Sequence, residues 1–146
     1  WQDVVFGYAC LLDMVVRGRE ERVFRKAYDT FCPVGPWITT ADEVTDPAAL
    51  DMKLWVNGDL RQSANTRDLV LDIPGMVATA SAVMTLYPGD IIATGTPEGV
   101  GPVVDGDRIR IAIDQIGEMT VDVVQGNQGM TEVFAQPYVP PIVKQS

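Results

Sequence analysis

The dipeptide Asn57-Gly58 stands between two short segments and strongly favours a tight hairpin turn of type I′. Residues 51–57 alternate apolar and polar side chains, which is the period of a strand with one buried face. Residues 59–62 are expected to pair back onto that strand. A chain organised by such turns is expected to fold from short antiparallel strands.

The remaining patterns predict a second hairpin, two further strands and one helix. The hairpin is predicted from residues 108–113 and 119–124 around a turn at 115–117, and the strands from residues 4–12 and 37–40. A helix is predicted over residues 73–86, with Asp72 as its N-cap and Pro74 in its first turn, and its apolar side chains are expected in the core. The sequence therefore predicts a mainly β fold with one or two helices, in which a helical crossover leaves a mixed sheet possible.

Charge and composition exclude several classes of protein. The chain has 146 residues, 47% of them hydrophobic, and a net charge of −9. That size and hydrophobicity predict one folded domain, and the acidity argues against a nucleic-acid surface. No apolar run approaches the roughly 20 residues of a membrane span, so we expect no membrane association. The chain opens on Trp1 without a visible signal peptide, and we interpret this start as cut rather than natural.

Two residue types bear on location and mechanism. Cys10 and Cys32 form no Cys-x-x-Cys pair and lie in apolar surroundings, so we expect buried free thiols in a reducing compartment, the cytoplasm. The sequence contains no histidine. Acid–base chemistry supplied by this chain must therefore use Asp, Glu, Lys, Tyr or a metal-bound water.

The segment 87–101 is the first candidate for a functional site. Pro88-Gly89 predicts a turn, residues 91–93 predict a short buried strand, and a glycine-rich loop with Thr94 and Thr96 follows. Glycines allow the backbone to approach a ligand closely because they lack a Cβ atom. From spacing alone, an ordinary glycine loop remains the alternative.

The second candidate begins with Asp13, at the end of the first predicted strand. Arg17 follows four residues later and Lys26 thirteen residues later. A carboxylate can hold a hard divalent cation, and the two basic side chains can hold the oxygens of an anionic ligand. The alternative is that Asp13 is only a turn former.

Taken together, these segments resemble the fumarylacetoacetate hydrolase family over roughly residues 4–124. The matching residues are Gly7-Tyr8 with Asp13 and Arg17, Lys26 with Asp29-Thr30, Pro33 and Gly35-Pro36, the hairpin 54–58 with Arg61-Gln62 and Asn65-Thr66, and the segment 88–101. The resemblance implies a mixed β-roll truncated at its N-terminus. It also implies a catalytic portion at 1–124 and an extended, proline-containing tail at 125–146.

The resemblance assigns roles to six residues. Asp13 would be one of three carboxylates that hold Mg²⁺ or Mn²⁺, the other two lying upstream. Lys26 would contact the substrate oxyanion, and Arg17 would lie beside the site. Thr96 and the Gly95 backbone would bind the substrate. Glu20 stands where many relatives have a substrate-contacting Gln.

The implied activity is metal-dependent hydrolysis of a C–C bond in an acylpyruvate or fumarylacetoacetate-like 2-oxo acid of aromatic catabolism, by a homodimer. Isomerisation or decarboxylation of 2-hydroxymuconate-type diacids uses similar chemistry and stays open, as does a non-catalytic, oligomerising fragment without the upstream ligands. A β-rich binding module without a metal is a further alternative. An upstream lid with His and Glu would favour hydrolysis.

Overall fold

The computed structural model describes residues 1–18, 21 and 23–126. Within them lie six strands and one α-helix: β1 (Gly7–Leu11), β2 (Val34–Thr40), β3 (Asp51–Val56), β4 (Asp59–Asn65), α1 (Ile73–Val83), β5 (Arg108–Ile113) and β6 (Gly117–Asp122). Short 3-10 helices occupy Gln2–Val4, Ala41–Glu43 and Thr66–Asp68. The prediction of a mainly β fold with a helix is confirmed.

The strands form two antiparallel sheets. β1 pairs with β2, and the second sheet has the order β4-β3-β5-β6. The side chains buried most fully lie where the two sheets meet: Cys10, Leu12, Val44, Leu50, Val56, Ile109, Ile111, Ile116 and Met119. The carbonyl oxygen of Ile116 joins the sheets, since it accepts hydrogen bonds from Trp37 Nε1 at 2.8 Å and from Thr39 Oγ1 at 2.9 Å.

The hairpin at Asn57-Gly58 forms as predicted. Asn57 has φ of 53° and Gly58 has φ of 90°, and a type I′ turn needs positive φ at both of these positions. Asn57 Oδ1 also accepts a hydrogen bond from Arg108 N at 2.9 Å, which ties the turn to β5. β4 continues to Asn65, further than the predicted 59–62.

The predicted position of helix α1 is confirmed, but its predicted packing in the core is not. Asp72 Oδ1 accepts from Gly75 N at 2.8 Å, and Pro74 lies in the first turn, as predicted. The helix ends at Val83, and none of its residues is buried, so the prediction that its apolar side chains belong to the core is wrong. No strand among the described residues packs closely enough against it to cover them.

The predicted strand at 91–93 is also wrong. These residues belong to neither sheet, and Ile91 is 63% exposed. An apolar run forms a strand only where a neighbouring strand can pair with its backbone groups. No strand of the described part of the chain runs alongside this one.

The two cysteines differ. Both are free, but only Cys10 is buried, while Cys32 is exposed beyond the end of the strand pair, so the expectation that both are buried is wrong for Cys32. The predicted tail lies outside the described residues from position 127 onward. Among the helices of the described ranges, none has both the length and the hydrophobicity needed to cross a bilayer.

Candidate active site

A pocket of about 120 Å³ lies where the end of β1, the strands β3 to β5 and the glycine-rich loop come together. Strand residues such as Met52, Leu54 and Ile111 form its apolar wall, and the loop 95–103 forms the opposite side. Asp13, Gly95 and Thr96 all line this pocket. A larger depression of about 460 Å³ lies at residues 3–6 and 40–42, but it contains no predicted site residue and is open to solvent.

Asp13 is placed by the extended chain that continues from β1. Leu12 N donates to Pro33 O at 3.1 Å, and Met14 N donates to Phe31 O at 2.9 Å, so the backbone is fixed on both sides of Asp13. Leu12 is buried in the core, whereas the Asp13 side chain is 36% exposed at the pocket. This local alternation aims the carboxylate away from the core and leaves it accessible to a ligand.

Lys26 reaches the same carboxylate from a turn. Lys26 N donates to Val23 O at 3.1 Å, which closes the turn at residues 23–26. Lys26 Nζ then donates a charge-assisted hydrogen bond to Asp13 Oδ2. The side chain of Lys26 is 50% exposed, so its ammonium group is available to an oxygen of a bound anion.

The glycine-rich loop begins at a turn that forms as predicted. Asp90 N donates to Tyr87 O at 3.0 Å, and Gly89 has φ of 100°. Gly95 has φ of 125°, and a Cβ atom there would have nothing within 4 Å. Thr96 and the backbone at Gly95 are both exposed at the pocket, so both can contact a ligand.

Gly99 is required by a different contact. A Cβ atom at Gly99 would lie 1.8 Å from Arg61 O, and φ at Gly99 is 96°. The side of this glycine on which a Cβ atom would project therefore faces the backbone of β4. Only glycine allows the loop to lie against β4 in this way.

Gln62 and Arg61 also line the pocket. Gln62 is buried, and its Nε2 atom donates to Pro97 O at 3.0 Å. Gln62 pairs with Leu54 in the hairpin register, so it shares the buried face. The sequence gives no signal for this pairing, because a regular two-residue hairpin would set Arg61 opposite Leu54.

Arg61 brings positive charge to the pocket. Hydrogen bonds from Val104 N and the Asn57 side chain lower the pKa of the Asp107 carboxyl below its ordinary range, and the charge of Arg61 adds a smaller effect in the same direction. The Arg61 Nη1 atom would lie 3.0 Å from a Cβ atom placed on Gly101. The guanidinium group thus lies beside the far end of the glycine-rich loop.

Four of the six predicted site residues come together. Asp13, Gly95 and Thr96 line one pocket, and Lys26 contacts Asp13. Arg17 is exposed and does not line the pocket. Glu20 lies outside the described residues. The roles of all six stay predictions.

The donor set fits part of a divalent metal site. Mg²⁺ and Mn²⁺ prefer oxygen ligands, and the accessible carboxylate of Asp13 can provide one. Within residues 1–18, 21 and 23–126, no group of three His, Cys, Asp or Glu side chains could hold a metal ion by itself. A site with three such side chains would therefore need at least one of them from outside this part of the chain.

Comparison with known proteins identifies the family. The sequence profile described as "Fumarylacetoacetate (FAA) hydrolase C-terminal" matches residues 2–124. The chain belongs to the fumarylacetoacetate hydrolase family. The resemblance predicted from the motifs is therefore confirmed.

Several similar proteins carry the name maleylpyruvate hydrolase. The crystal structure of maleylpyruvate hydrolase from Sphingobium sp. SYK-6 has a TM-score of 0.84 and 90% identity, over 86% of this chain and 47% of that chain. The same enzyme in complex with manganese(II) and pyruvate has a TM-score of 0.83 and 89% identity, with the same coverage of both chains. A maleylpyruvate hydrolase from Aquipseudomonas alcaligenes is 51% identical over 119 residues, 82% of this chain and 42% of the relative.

An enzyme of different activity is also similar. The 4-hydroxyphenylacetate degradation bifunctional isomerase/decarboxylase from Salmonella dublin is 39% identical over 127 residues, 84% of this chain and 30% of the relative. The chain spans about half the length, or less, of these relatives. The similar proteins thus include hydrolases and an isomerase/decarboxylase, and one of the similar structures contains manganese(II) and pyruvate.

Proposed function

We propose that the protein is a divalent-metal-dependent hydrolase that cleaves the C–C bond of an acylpyruvate of the maleylpyruvate type. Water adds across the bond between the acyl carbonyl carbon and the methylene carbon of the pyruvate unit. The acyl carbon leaves as a carboxylic acid, and the methylene carbon takes a proton, so that pyruvate is released. The observation that carries the proposal is the pocket shared by Asp13 and Thr96, with Lys26 bonded to Asp13, in a chain 90% identical to a maleylpyruvate hydrolase.

Three residues of this chain have proposed roles that follow from the chemistry of their side chains. Asp13 would supply one oxygen ligand to the metal, which when bound polarises the 2-oxo group of the substrate. Lys26 would place positive charge where the 2-oxo oxygen becomes more negative as the bond breaks. Thr96 would donate its hydroxyl hydrogen to the substrate carboxylate, next to the backbone of Gly95. The complex of the similar hydrolase with manganese(II) and pyruvate supports a site for a metal ion and a 2-oxo acid, since pyruvate carries both a carboxylate and a 2-oxo group.

Two variants test the assignment of Asp13 and Lys26. In the full-length protein, Asp13→Ala should abolish metal-dependent turnover and lower the bound metal, because a ligand is lost. Lys26→Met should lower kcat on the order of 100-fold, the usual effect of removing one preorganised donor, while leaving most of the bound metal. Turnover is measured by pyruvate release from an acylpyruvate, and metal content by elemental analysis.

Asp122, on the edge strand β6 of the second sheet, provides a matched control. Asp122 is also an exposed, ion-paired carboxylate, with its Oδ1 atom 2.7 Å from Arg108 Nε, and it does not line the pocket. Asp122→Ala should therefore retain turnover and metal. Retained turnover in Asp13→Ala would refute the metal role, and an equal loss of metal in Lys26→Met would refute the separation of roles.

Isomerisation or decarboxylation is the second candidate, favoured by the similarity to the bifunctional isomerase/decarboxylase at 39% identity. Product analysis separates the reactions: hydrolysis gives two acids, decarboxylation releases CO₂, and isomerisation conserves mass. The higher identity to the maleylpyruvate hydrolases favours the first outcome.

We also propose a homodimer and a cytoplasmic location. The free thiols of Cys10 and Cys32 support a reducing compartment. The dimer rests on the family resemblance, and sedimentation equilibrium of the full-length protein tests it. A monomer at micromolar concentration would refute it.

A further inference from the structure

We infer that Gln62 is a positioning residue, which fixes Thr96 at the pocket by holding the carbonyl group of Pro97. The inference rests on the proposed function, because it concerns the pocket in which the substrate would bind. Gln62 is 7% exposed, and its Nε2 atom donates to Pro97 O at 3.0 Å. It is one of two buried polar side chains among the described residues, and the other, Thr39, lies at the junction of the sheets.

The glycine-rich loop depends on such contacts for its position. Residues 91–103 belong to neither sheet, so no strand ladder fixes them. They approach β4 in three places: Pro97 O accepts from the Gln62 side chain, Gly99 packs on the backbone oxygen of Arg61, and Gly101 lies beside the Arg61 guanidinium. The contact at Pro97 is the one that directly follows Thr96 in the sequence.

Pro97 connects this attachment to the backbone of Thr96. The pyrrolidine ring fixes φ of Pro97, and the residue before a proline is confined to extended backbone conformations. When Gln62 holds the Pro97 carbonyl, the peptide on the other side of the ring has little freedom left. The backbone of Thr96 then adopts one orientation, and its hydroxyl group points in a defined direction at the pocket.

A purely structural role for Gln62 makes a different prediction. If the hydrogen bond only stabilised the hairpin, its loss would lower the melting temperature and leave ligand affinity unchanged. If Gln62 acts through Thr96, its loss weakens binding of the ligand group that Thr96 contacts. The effect then disappears once the Thr96 hydroxyl is removed, since contacting or serially coupled residues are not additive.

The probe is pyruvate, bound in the presence of Mn²⁺ to the full-length protein and measured by calorimetry. Gln62→Met keeps the length of the side chain but removes both N–H donors. It should weaken pyruvate binding roughly five-fold, the effect of one neutral hydrogen bond, with unchanged Mn²⁺ affinity. Gln62→Asn, which is too short to reach Pro97 O, should give the same loss and serves if the Met variant fails to fold.

The matched control is Gln115→Met. Gln115 also makes one hydrogen bond to a distant backbone group, since its Oε1 atom accepts from Thr45 N at 2.8 Å, but it does not line the pocket. This variant should bind pyruvate like the wild type. A thermodynamic cycle completes the design: Gln62→Met combined with Thr96→Val should bind pyruvate no more than about two-fold more weakly than Thr96→Val alone.

Limited proteolysis of the metal-free protein provides a readout that needs no ligand. The loop 95–101 should be cleaved faster in Gln62→Met than in Gln115→Met, because the loop has lost an attachment to β4. Additive effects in the cycle, wild-type affinity in Gln62→Met, or unchanged cleavage of the loop would each overturn the inference. If the wild type binds no pyruvate with Mn²⁺, the proposed function fails and the inference fails with it. If Thr96→Val weakens binding and Gln62→Met does not, only the inference fails.

Discussion

Replacing Gly99 by alanine should destabilise the protein more than the same replacement at Gly95. Both glycines have positive φ, 96° and 125°, where an L-residue costs about 1–3 kcal/mol in strain. They differ in surroundings: a Cβ atom at Gly95 meets nothing within 4 Å, whereas one at Gly99 would lie 1.8 Å from Arg61 O. Gly95→Ala therefore measures backbone strain alone and is the control for Gly99→Ala.

The size of the difference follows from the overlap at Gly99. Real Cβ contacts essentially never fall below 3.0 Å, so the loop and β4 must separate by about 1.2 Å, the difference between 3.0 and 1.8 Å. The obstructing atom is the backbone oxygen of Arg61, at the bulge of β4, so no side-chain rotation relieves the overlap. Overpacking of this kind costs a further ~1–3 kcal/mol, and the separation also pulls Pro97 O away from Gln62.

The assay is equilibrium unfolding in urea of the wild type and both variants. We expect Gly99→Ala to lose ~1–3 kcal/mol more than Gly95→Ala in the free energy of unfolding, with an unchanged dependence on urea concentration. Equal destabilisation would show that the loop does not rest on β4 at Gly99. A larger effect in Gly95→Ala would have the same meaning.

Two further predictions concern titration and reactivity. Burial, with a smaller effect from the charge of Glu118, raises the pKa of the Cys10 thiol, so only Cys32 should react with a thiol reagent at neutral pH until the protein is unfolded; two reactive thiols in the native protein would contradict this. The pKa of Asp107 is lowered below its ordinary value of 3.8, so its ionised form stabilises the fold above that pH, and this contribution is lost as the pH falls through the lowered pKa. Asp107→Asn should therefore flatten the fall in stability below about pH 4, measured by urea unfolding across pH, and an unchanged acid limb would contradict the assignment.

Features whose signals lie within a few residues could be predicted from the sequence. The turn at Asn57-Gly58 needs only two residues that tolerate positive φ. The N-cap Asp72 needs only its own carboxylate and the amide of Gly75, three positions later. In both cases the structure is decided by short-range sterics and hydrogen bonding, which the sequence displays directly.

Burial could not be predicted in the same way. The apolar residues at 91–93 and in α1 satisfy the patterns of a buried strand and a core helix, yet none of them is buried in the described structure. Burial depends on what lies alongside an element, and the element's own pattern does not contain that information. The prediction that Cys32 is buried is wrong for the same reason, since its apolar sequence neighbours do not cover it.

The candidate site contains one feature that could be predicted and one that could not. Nothing in the two segments places Asp13 next to Thr96, and only the family resemblance predicted that they share a pocket, as they do here. Gln62 could not be found because of a bulge. A regular two-residue hairpin would set Arg61 opposite Leu54, but the register shifts between Leu54 and Trp55, and Gln62 takes that place on the buried face.

The glycine-rich loop has one constrained half and one free half. Around Gly99 the backbone rests directly on a neighbouring strand, so variation there disturbs the hairpin as well. Around Gly95 there is empty space on the side where a side chain would project, at the wall of the pocket. Attempts to change the size or polarity of the acid proposed as the substrate should therefore begin at Gly95, where the cost to the fold is limited to one residue's backbone conformation.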